Sequence, residues 1–391
     1  MFPVTVPNDI DKYFYNRKKD IKQINHQINS INEDLPNQIL LTGKRGVGKT
    51  FLLKKILNDQ KEDIVTVYID ISKIYGNNQK ITEEEILKSI LTNINNALKN
   101  KGKLEHVKTN INEVIQKMKL KEYDINNPAD LFNITIPKIK DNYPKLSELV
   151  MELPQNIVDS TKDIKGFIIV IDEFQLIKYV NNPEAFFWLI RSHLQNQSNI
   201  CYIFTGSVSN TSDIIEMLNG QTGAFGGRMI QINIDPFTKQ ETQNYLNDRL
   251  SNIKFSDDGF DKFYQYTNGI PAYINTFSNV LDSGVLYDGE KIEETFLIKM
   301  DQIIIMWLYI WGRLKIQEKD IIKLLVENEE LSWNDLLNKC NFSKATLSKY
   351  IDSLNNQGVL KYTFNDTYAL NDEMIRTWLL YKKETEGHYP I

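Results

Sequence analysis

Eight consecutive residues constrain this chain more than any other stretch. Gly43-Lys44-Arg45-Gly46-Val47-Gly48-Lys49-Thr50 lies between a short apolar run, Gln38–Thr42, and a segment whose apolar residues, Leu52, Leu53 and Ile56, recur at helical spacing. A strand that turns through three glycines straight into a helix is an α/β building block, and the spacing G-x-x-x-x-G-K-[ST] is the one that wraps main chain around a polyphosphate. Each residue type has a separate reason to be there. Glycines admit an anion where a Cβ would collide with it. The free N–H groups that open the following helix face a negative charge. Lys49 carries a cation to the β- and γ-phosphates, and Thr50 offers a hydroxyl to a Mg²⁺ shell. Gly43, Lys44, Arg45, Gly46, Val47, Gly48, Lys49, Thr50 and Phe51 are therefore candidate nucleotide-binding residues, with Lys49 also acting on the transferring phosphoryl and Thr50 also a metal ligand.

The surrounding sequence continues in the same style. Ile64–Ile71, Gly166–Ile171 and Ile200–Thr205 read as strands separated by helical stretches, which argues for a parallel sheet. The long, mostly helical stretch Thr82–Lys162, within an interruption at about 76–163, exceeds a single crossover and is expected to be an insertion or a lid on the sheet edge. The apolar strand Phe167–Ile171 delivers Asp172 and Glu173 at its carboxyl end, where open α/β sheets bind ligands. Asp172 is a second metal residue, and Glu173 is the candidate catalytic group that polarises an attacking water. Thr205-Gly206-Ser207 ends another strand beside them, making Ser207, with Thr205 behind it, a candidate γ-phosphate contact.

Strand signals stop after Pro236. Amphipathic helices follow at Lys239–Leu250, Asp257–Tyr266, Pro271–Leu281 and Ile292–Leu308. The last part has helices near 318–327 and 333–339, then Ser343 as the N-cap of a helix to Asn356, then strands Val359–Phe364 and Thr367–Leu370. That order describes a winged helix. The expected architecture is a P-loop NTPase core with a parallel sheet over 1–235, a helical lid domain over 236–312 and a winged-helix domain over 313–391. Trp307, Trp311 and Trp378 near the boundaries are either interface anchors or plain core.

Taken in order, these motifs resemble the archaeal-type ATPases, P-loop proteins close to the AAA+ and STAND classes. The resembling segments are Asn16-Arg17-Lys18-Lys19-Asp20, Asp172-Glu173-Phe174-Gln175, Thr205-Gly206-Ser207, Phe225-Gly226-Gly227-Arg228 and Asn268-Gly269-Ile270-Pro271. Two positions depart from the family pattern: Asn16 stands where a glycine is usual, and Phe225-Gly226 replace Leu-Tyr before the arginine. The resemblance implies that Arg17 helps seat the nucleotide edge, that Arg228 is an arginine finger or phosphate sensor acting in its own subunit or a neighbour's, and that Pro271 touches adenine from the lid. The lid box carries no arginine, which favours slow switching over fast cycling.

Composition narrows the function classes. The 46 Lys and Arg against 51 Asp and Glu give a net charge of −5, so no global basic field draws the molecule to nucleic acid or anionic lipid. Two distant cysteines and four scattered histidines make neither a disulfide framework nor a zinc site. The apolar run Ile303–Trp311 is about half of the ~20 residues a membrane-spanning helix needs, and residues 1–11 lack a signal-peptide pattern, so a cytoplasmic protein is expected. The tail offers Lys344, Thr346 and Lys349 to a DNA groove, yet from Lys315 onward its ten Lys and Arg face roughly a dozen acids. DNA contact and docking on the core or a protein partner both stay open. The expected function is a nucleotide-dependent switch, taking ATP and leaving ADP with Mg²⁺ and reset by hydrolysis at Glu173, with a homo-oligomer among its expected partners. The alternatives are a DNA-binding initiator or regulator modulated by nucleotide, and a scaffold that holds ADP without turnover.

Overall fold

The computed structural model describes residues 3, 5–78, 81–103, 107, 143–206, 213–221, 223–250, 252–363 and 365–390. Five parallel strands, β1 (Ile39–Thr42), β2 (Ile64–Asp70), β3 (Gly166–Asp172), β4 (Ile200–Thr205) and β5 (Ile230–Asn233), form one sheet in the order β2-β3-β4-β1-β5. β4 thus separates the strand that carries the glycine loop from the strand that carries the acids. Thr205 pairs with Leu41 on one side and with Asp172 on the other, so all three strand ends meet at one edge.

Both faces of the sheet are covered, as a parallel sheet requires. On one face Leu41, Ile168, Val170 and Ile203 pack with Leu52, Leu53 and Ile56 of the helix Lys49–Asn58 and with Ile24 and Ile28 of the helix Lys18–Ile28. On the other, Phe167, Ile169, Ile171 and Phe204 meet the helices Glu83–Asn100, Tyr143–Ser160 and Pro183–Leu194. The first two of these helices belong to the stretch expected as an insertion or lid on the sheet edge. The stripe Ile86, Leu87, Ile90, Leu91, Ile94 and Leu98 of the first packs beside β2, an edge strand, and is buried in the main core. β5 was not expected at all: Ile230-Gln231-Ile232-Asn233 is a four-residue edge strand with alternating polar residues.

A second core begins at Phe237. The lid consists of the helices Lys239–Arg249, Asp257–Thr267, Pro271–Ser278, Gly289–Ile303 and Ile305–Trp311. A short parallel pair, β6 (Lys254–Phe255) and β7 (Leu286–Tyr287), ties the lid together. Thr238 and Glu241 cap the first helix reciprocally. The apolar run expected as one helix to Leu308 breaks at Ile304, where the backbone leaves the helical region (φ −91°, ψ 15°).

The tail has the helices Ile316–Asn328, Trp333–Cys340 and Lys344–Asn356, then Glu373–Glu386 at its end. Its antiparallel sheet runs β8 (Glu330–Ser332), β10 (Thr367–Leu370), β9 (Leu360–Tyr362). Ser343 caps the third of these helices by accepting a hydrogen bond from the Thr346 amide at 3.1 Å. Lid and winged helix share one continuous apolar cluster that contains Trp307, Trp311 and Trp378, the last two edge-on at 5.7 Å. Among the described residues no helix is long and apolar enough to cross a membrane.

Candidate nucleotide-binding site

The loop after β1 has the backbone that its glycines allow. Gly43 (φ 145°) lies so close to β5's end that a Cβ would stand 2.5 Å from the Ile234 carbonyl oxygen. A Cβ built on Gly48 (φ 95°) would meet nothing within 4 Å, so the space above it is open to a ligand. Lys49 begins the next helix, and its ammonium folds back to donate to the carbonyls of Gly43 (2.7 Å) and Lys44 (3.0 Å). It is only 6% exposed. Burial lowers its pKa to about 8, opposed by the charges of Glu173 and Asp172.

The acids of β3 face this lysine across a cavity of about 340 Å³. Thr50 Oγ1 donates to Asp172 Oδ2 at 2.9 Å, and the Glu173 amide donates to Asp172 Oδ1 at 2.8 Å. A third donor, the Tyr68 hydroxyl, also binds Asp172 Oδ2. Glu173 sits in the left-handed region (φ 56°), which breaks the strand's alternation and turns the second carboxyl toward the cavity. Burial, then the neighbouring Asp172 charge, raises its pKa, while a hydrogen bond from Gln175 Nε2 and the charge of Lys49 oppose the rise. A Cβ on Gly206 would lie 1.9 Å from Gln175 Oε1, so that glycine makes room for the clamp on Glu173. Thr205 is buried beside it, and its hydroxyl has no partner among the described residues. Ser207 lies outside the described residues. The hard oxygens of Thr50 and Asp172, next to a loop open to phosphate, are a donor set that suits Mg²⁺, which takes one or two protein oxygens and completes its shell from phosphates and water.

The other end of the cavity is aromatic. Phe14 packs edge-on against Phe51 at 5.4 Å, and Tyr15 lies 4.9 Å from Tyr245. Pro271 lines this end from the first turn of its helix. It is placed there by Gly269 (φ 67°), where a Cβ would fall 1.9 Å from the Phe237 carbonyl oxygen. Arg17 also lines the cavity, but its guanidinium is engaged with protein: it donates to the carbonyls of Asp235 (2.7 Å) and Val47 (2.8 Å) and lies 4.6 Å from the centre of the Phe237 ring. It fixes the loop to the hinge of the lid. Asn16 (φ 56°) and Arg17 (φ 65°) are successive left-handed residues, and asparagine tolerates that conformation, which explains how it stands in a glycine position.

Other expected site residues lie partly or wholly away from this cavity. Lys44 donates to Asn371 Oδ1 of the winged helix at 2.9 Å, across a second cavity of about 400 Å³. Arg45 lines both cavities and lies 5.0 Å from the Tyr309 ring, which Arg313 approaches from 3.9 Å. Arg228 lines neither cavity. It is exposed just before β5, where Ile230 pairs with Ile39, whereas the glycine loop follows Thr42, which pairs with Asn233. Within its own chain it therefore stands at the opposite end of the strands from the phosphate loop. Lys344 and Lys349 are exposed on the third winged-helix helix, and Thr346 Oγ1 is engaged with Ser343 Oγ at 2.8 Å. Tyr68, Asn371 and Tyr309 had no sequence signal, since only the folded chain brings them to the loop and the acids.

The family model for the ATPase domain predominantly from Archaea matches residues 14–277. The chain belongs to this ATPase family. A second model, winged helix-turn-helix DNA-binding, matches residues 314–361. An uncharacterized ATP-binding protein of Methanocaldococcus jannaschii is 27% identical over 353 residues, covering 84% of this chain and 88% of that protein. A second from the same organism is 25% identical over 381 residues, covering 88% and 90%. Among solved structures, a Walker-type ATPase of Pyrococcus abyssi superposes with a TM-score of 0.66 at 19% identity, over 94% of this chain and 96% of that one. The Aeropyrum pernix ORC2 protein, solved in ADPNP–ADP complexes, gives 0.56 at 12% identity, over 98% and 96%. At these identities the two structures show the fold alone. The archaeal-type family, the parallel-sheet P-loop core and the C-terminal winged helix expected from the motifs are all present, and the chain is an ATP-binding, ATPase-like domain followed by a winged helix.

Proposed function

We propose that this ATPase domain binds ATP with Mg²⁺, hydrolyses it slowly, and passes the state of the γ-phosphate to the winged helix. The observation that carries the reading is the crowding on one eight-residue loop. The lid touches it through the Ala272 amide, which donates to the Gly46 carbonyl at 3.2 Å. Arg17 touches it at Val47, and the winged helix touches it through Asn371 and Lys44. A phosphate seated on the loop's N–H groups therefore changes a surface on which the other parts of the molecule rest.

The chemistry follows from the same geometry. Thr50 and Asp172 would hold Mg²⁺, which supplies charge neutralisation at the β- and γ-oxygens. Lys49 exchanges its two carbonyl acceptors for phosphate oxygens. Glu173, held by Gln175, accepts hydrogen-bond donation from the attacking water and orients it toward phosphorus. The aromatic end and Pro271 take the base. Arg228, exposed at the far end of the strands, is offered to a neighbouring copy.

Hydrogen exchange at the amides from Asn371 to Trp378, compared between the ADP and ATP-analogue states, tests the relay. Wild-type protein should show different protection in the two states, and Asn371→Ala should show the same protection in both while binding nucleotide as before. Equal protection in wild type would remove the relay from the account.

A second reading has its own observation: Lys344 and Lys349 are exposed and without a side-chain partner among the described residues, on a domain matched by a DNA-binding model. In that reading duplex binding is the output of the switch. It requires the affinity to fall with salt and the slope to shrink by about one on removing either lysine.

A further inference from the structure

We propose that Tyr68 is a positioning residue for the nucleotide's Mg²⁺, holding Asp172 in the orientation from which it supports the metal's shell. The inference rests on the nucleotide site proposed above. Tyr68 belongs to no motif and does not line the cavity, so it has no direct route to a bound nucleotide. It acts from behind. On β2 it pairs with Val170, and two residues later Asp70 pairs with Asp172. Residues two apart share a sheet face, so the Tyr68 side chain starts one pleat repeat short of Asp172, about 6.6 Å along the strands. A phenol covers that distance along the face and a serine does not.

The contact is well defined. The Tyr68 hydroxyl and Thr50 Oγ1 both donate to Asp172 Oδ2, while the Glu173 amide donates to Oδ1. Three donors fix the plane of a carboxylate that is 4% exposed and has no salt-bridge partner among the described residues. The ring itself is held: it packs on the cluster that contains Ile168 and Val170, and the Lys54 ammonium lies 5.6 Å from its centre. With Tyr68 in place, Oδ2 is anchored on two hydroxyls, one of which belongs to the metal-facing Thr50. Without it, Oδ2 keeps only the Thr50 hydroxyl and Oδ1 only the Glu173 amide, a looser hold on the carboxylate plane. Outer-shell partners of this kind set metal affinity by about 10–100-fold.

The test is the gain in affinity for an ATP analogue produced by saturating Mg²⁺ over EDTA, measured by displacement of a fluorescent nucleotide. Tyr68→Phe keeps the ring and deletes only the donor. It should leave the affinity in EDTA within about twofold of wild type and reduce the Mg²⁺ gain by about 10–100-fold. In the Asp172→Asn background the same exchange should change nothing further, because no carboxylate is left to orient. An unchanged gain in Tyr68→Phe overturns the inference and leaves the nucleotide site standing. An equal loss in EDTA and in Mg²⁺ also overturns it, since a merely structural tyrosine would act on both. Wild-type protein that binds no analogue in either condition overturns the site and the inference together.

Discussion

Nucleotide binding by this protein should take up a proton above neutral pH, and the size of the effect follows from Lys49. In the free protein burial holds this lysine at about pKa 8 rather than the usual 10.5. A polyphosphate against the ammonium favours its charged form and returns the pKa toward or above the ordinary value. At pH 8 about half of the free molecules carry an uncharged Lys49, so binding takes up about 0.5 proton, and at pH 9 about 0.9. The sign is fixed: the bound state holds more protons, so raising the pH through 8 weakens binding. Between pH 7 and pH 9 the affinity should fall about tenfold, or about 1.4 kcal/mol. Phosphate oxygens do not confuse the reading, since their last proton leaves near pH 6. Titration calorimetry in buffers of different ionisation enthalpy reports the proton count directly. Lys49→Met should bind nucleotide poorly and show no buffer dependence in whatever heat remains. Wild-type binding that is strong at pH 9 and independent of buffer would refute the argument that a neutralised, carbonyl-bound Lys49 is recharged by the ligand.

Other substitutions separate binding, chemistry and fold. Glu173→Gln should leave analogue affinity unchanged and slow single-turnover hydrolysis by about 10²–10⁴-fold, and an unchanged rate would take Glu173 out of the reaction. Gly48→Ala places a Cβ where nothing lies within 4 Å, so the fold should lose only about 1–2 kcal/mol from the left-handed backbone while nucleotide binding collapses. Gly269→Ala instead drives a Cβ to 1.9 Å from the Phe237 carbonyl oxygen and should lower the melting temperature, with the lid helix Pro271–Ser278 losing protection first. If the two alanine variants behave alike, the division between a ligand-facing and a packing glycine is wrong.

Much of the site was legible because its chemistry demands particular residues at fixed spacing. A bare-backbone loop needs Gly43, Gly46 and Gly48, and a cation and hydroxyl after it need Lys49 and Thr50, whatever the rest of the chain does. The acids were legible because β3 is apolar throughout and then stops at Asp172 and Glu173. What escaped depends on tertiary placement. β5 carries Gln231 and Asn233 on an exposed edge, so no continuous apolar run marks it. Tyr68 looks like any strand aromatic until the β2–β3 register sets it beside Asp172. Lys44 reads as a loop cation for phosphate, but docking of the winged helix turns it toward Asn371. Arg228 carried a motif's meaning without its location, which only the pairing of β1 with β5 supplies.

The central claim is that the loop from Gly43 to Thr50 encloses the phosphates of ATP. A crystal structure of the protein grown with Mg²⁺ and a non-hydrolysable ATP analogue examines it most directly. The account predicts phosphate oxygens on the amides of Gly46 to Thr50, Lys49 Nζ moved off the Gly43 carbonyl onto phosphate, and the base beside Pro271. An analogue bound elsewhere, or Lys49 still resting on its two carbonyls, would contradict it.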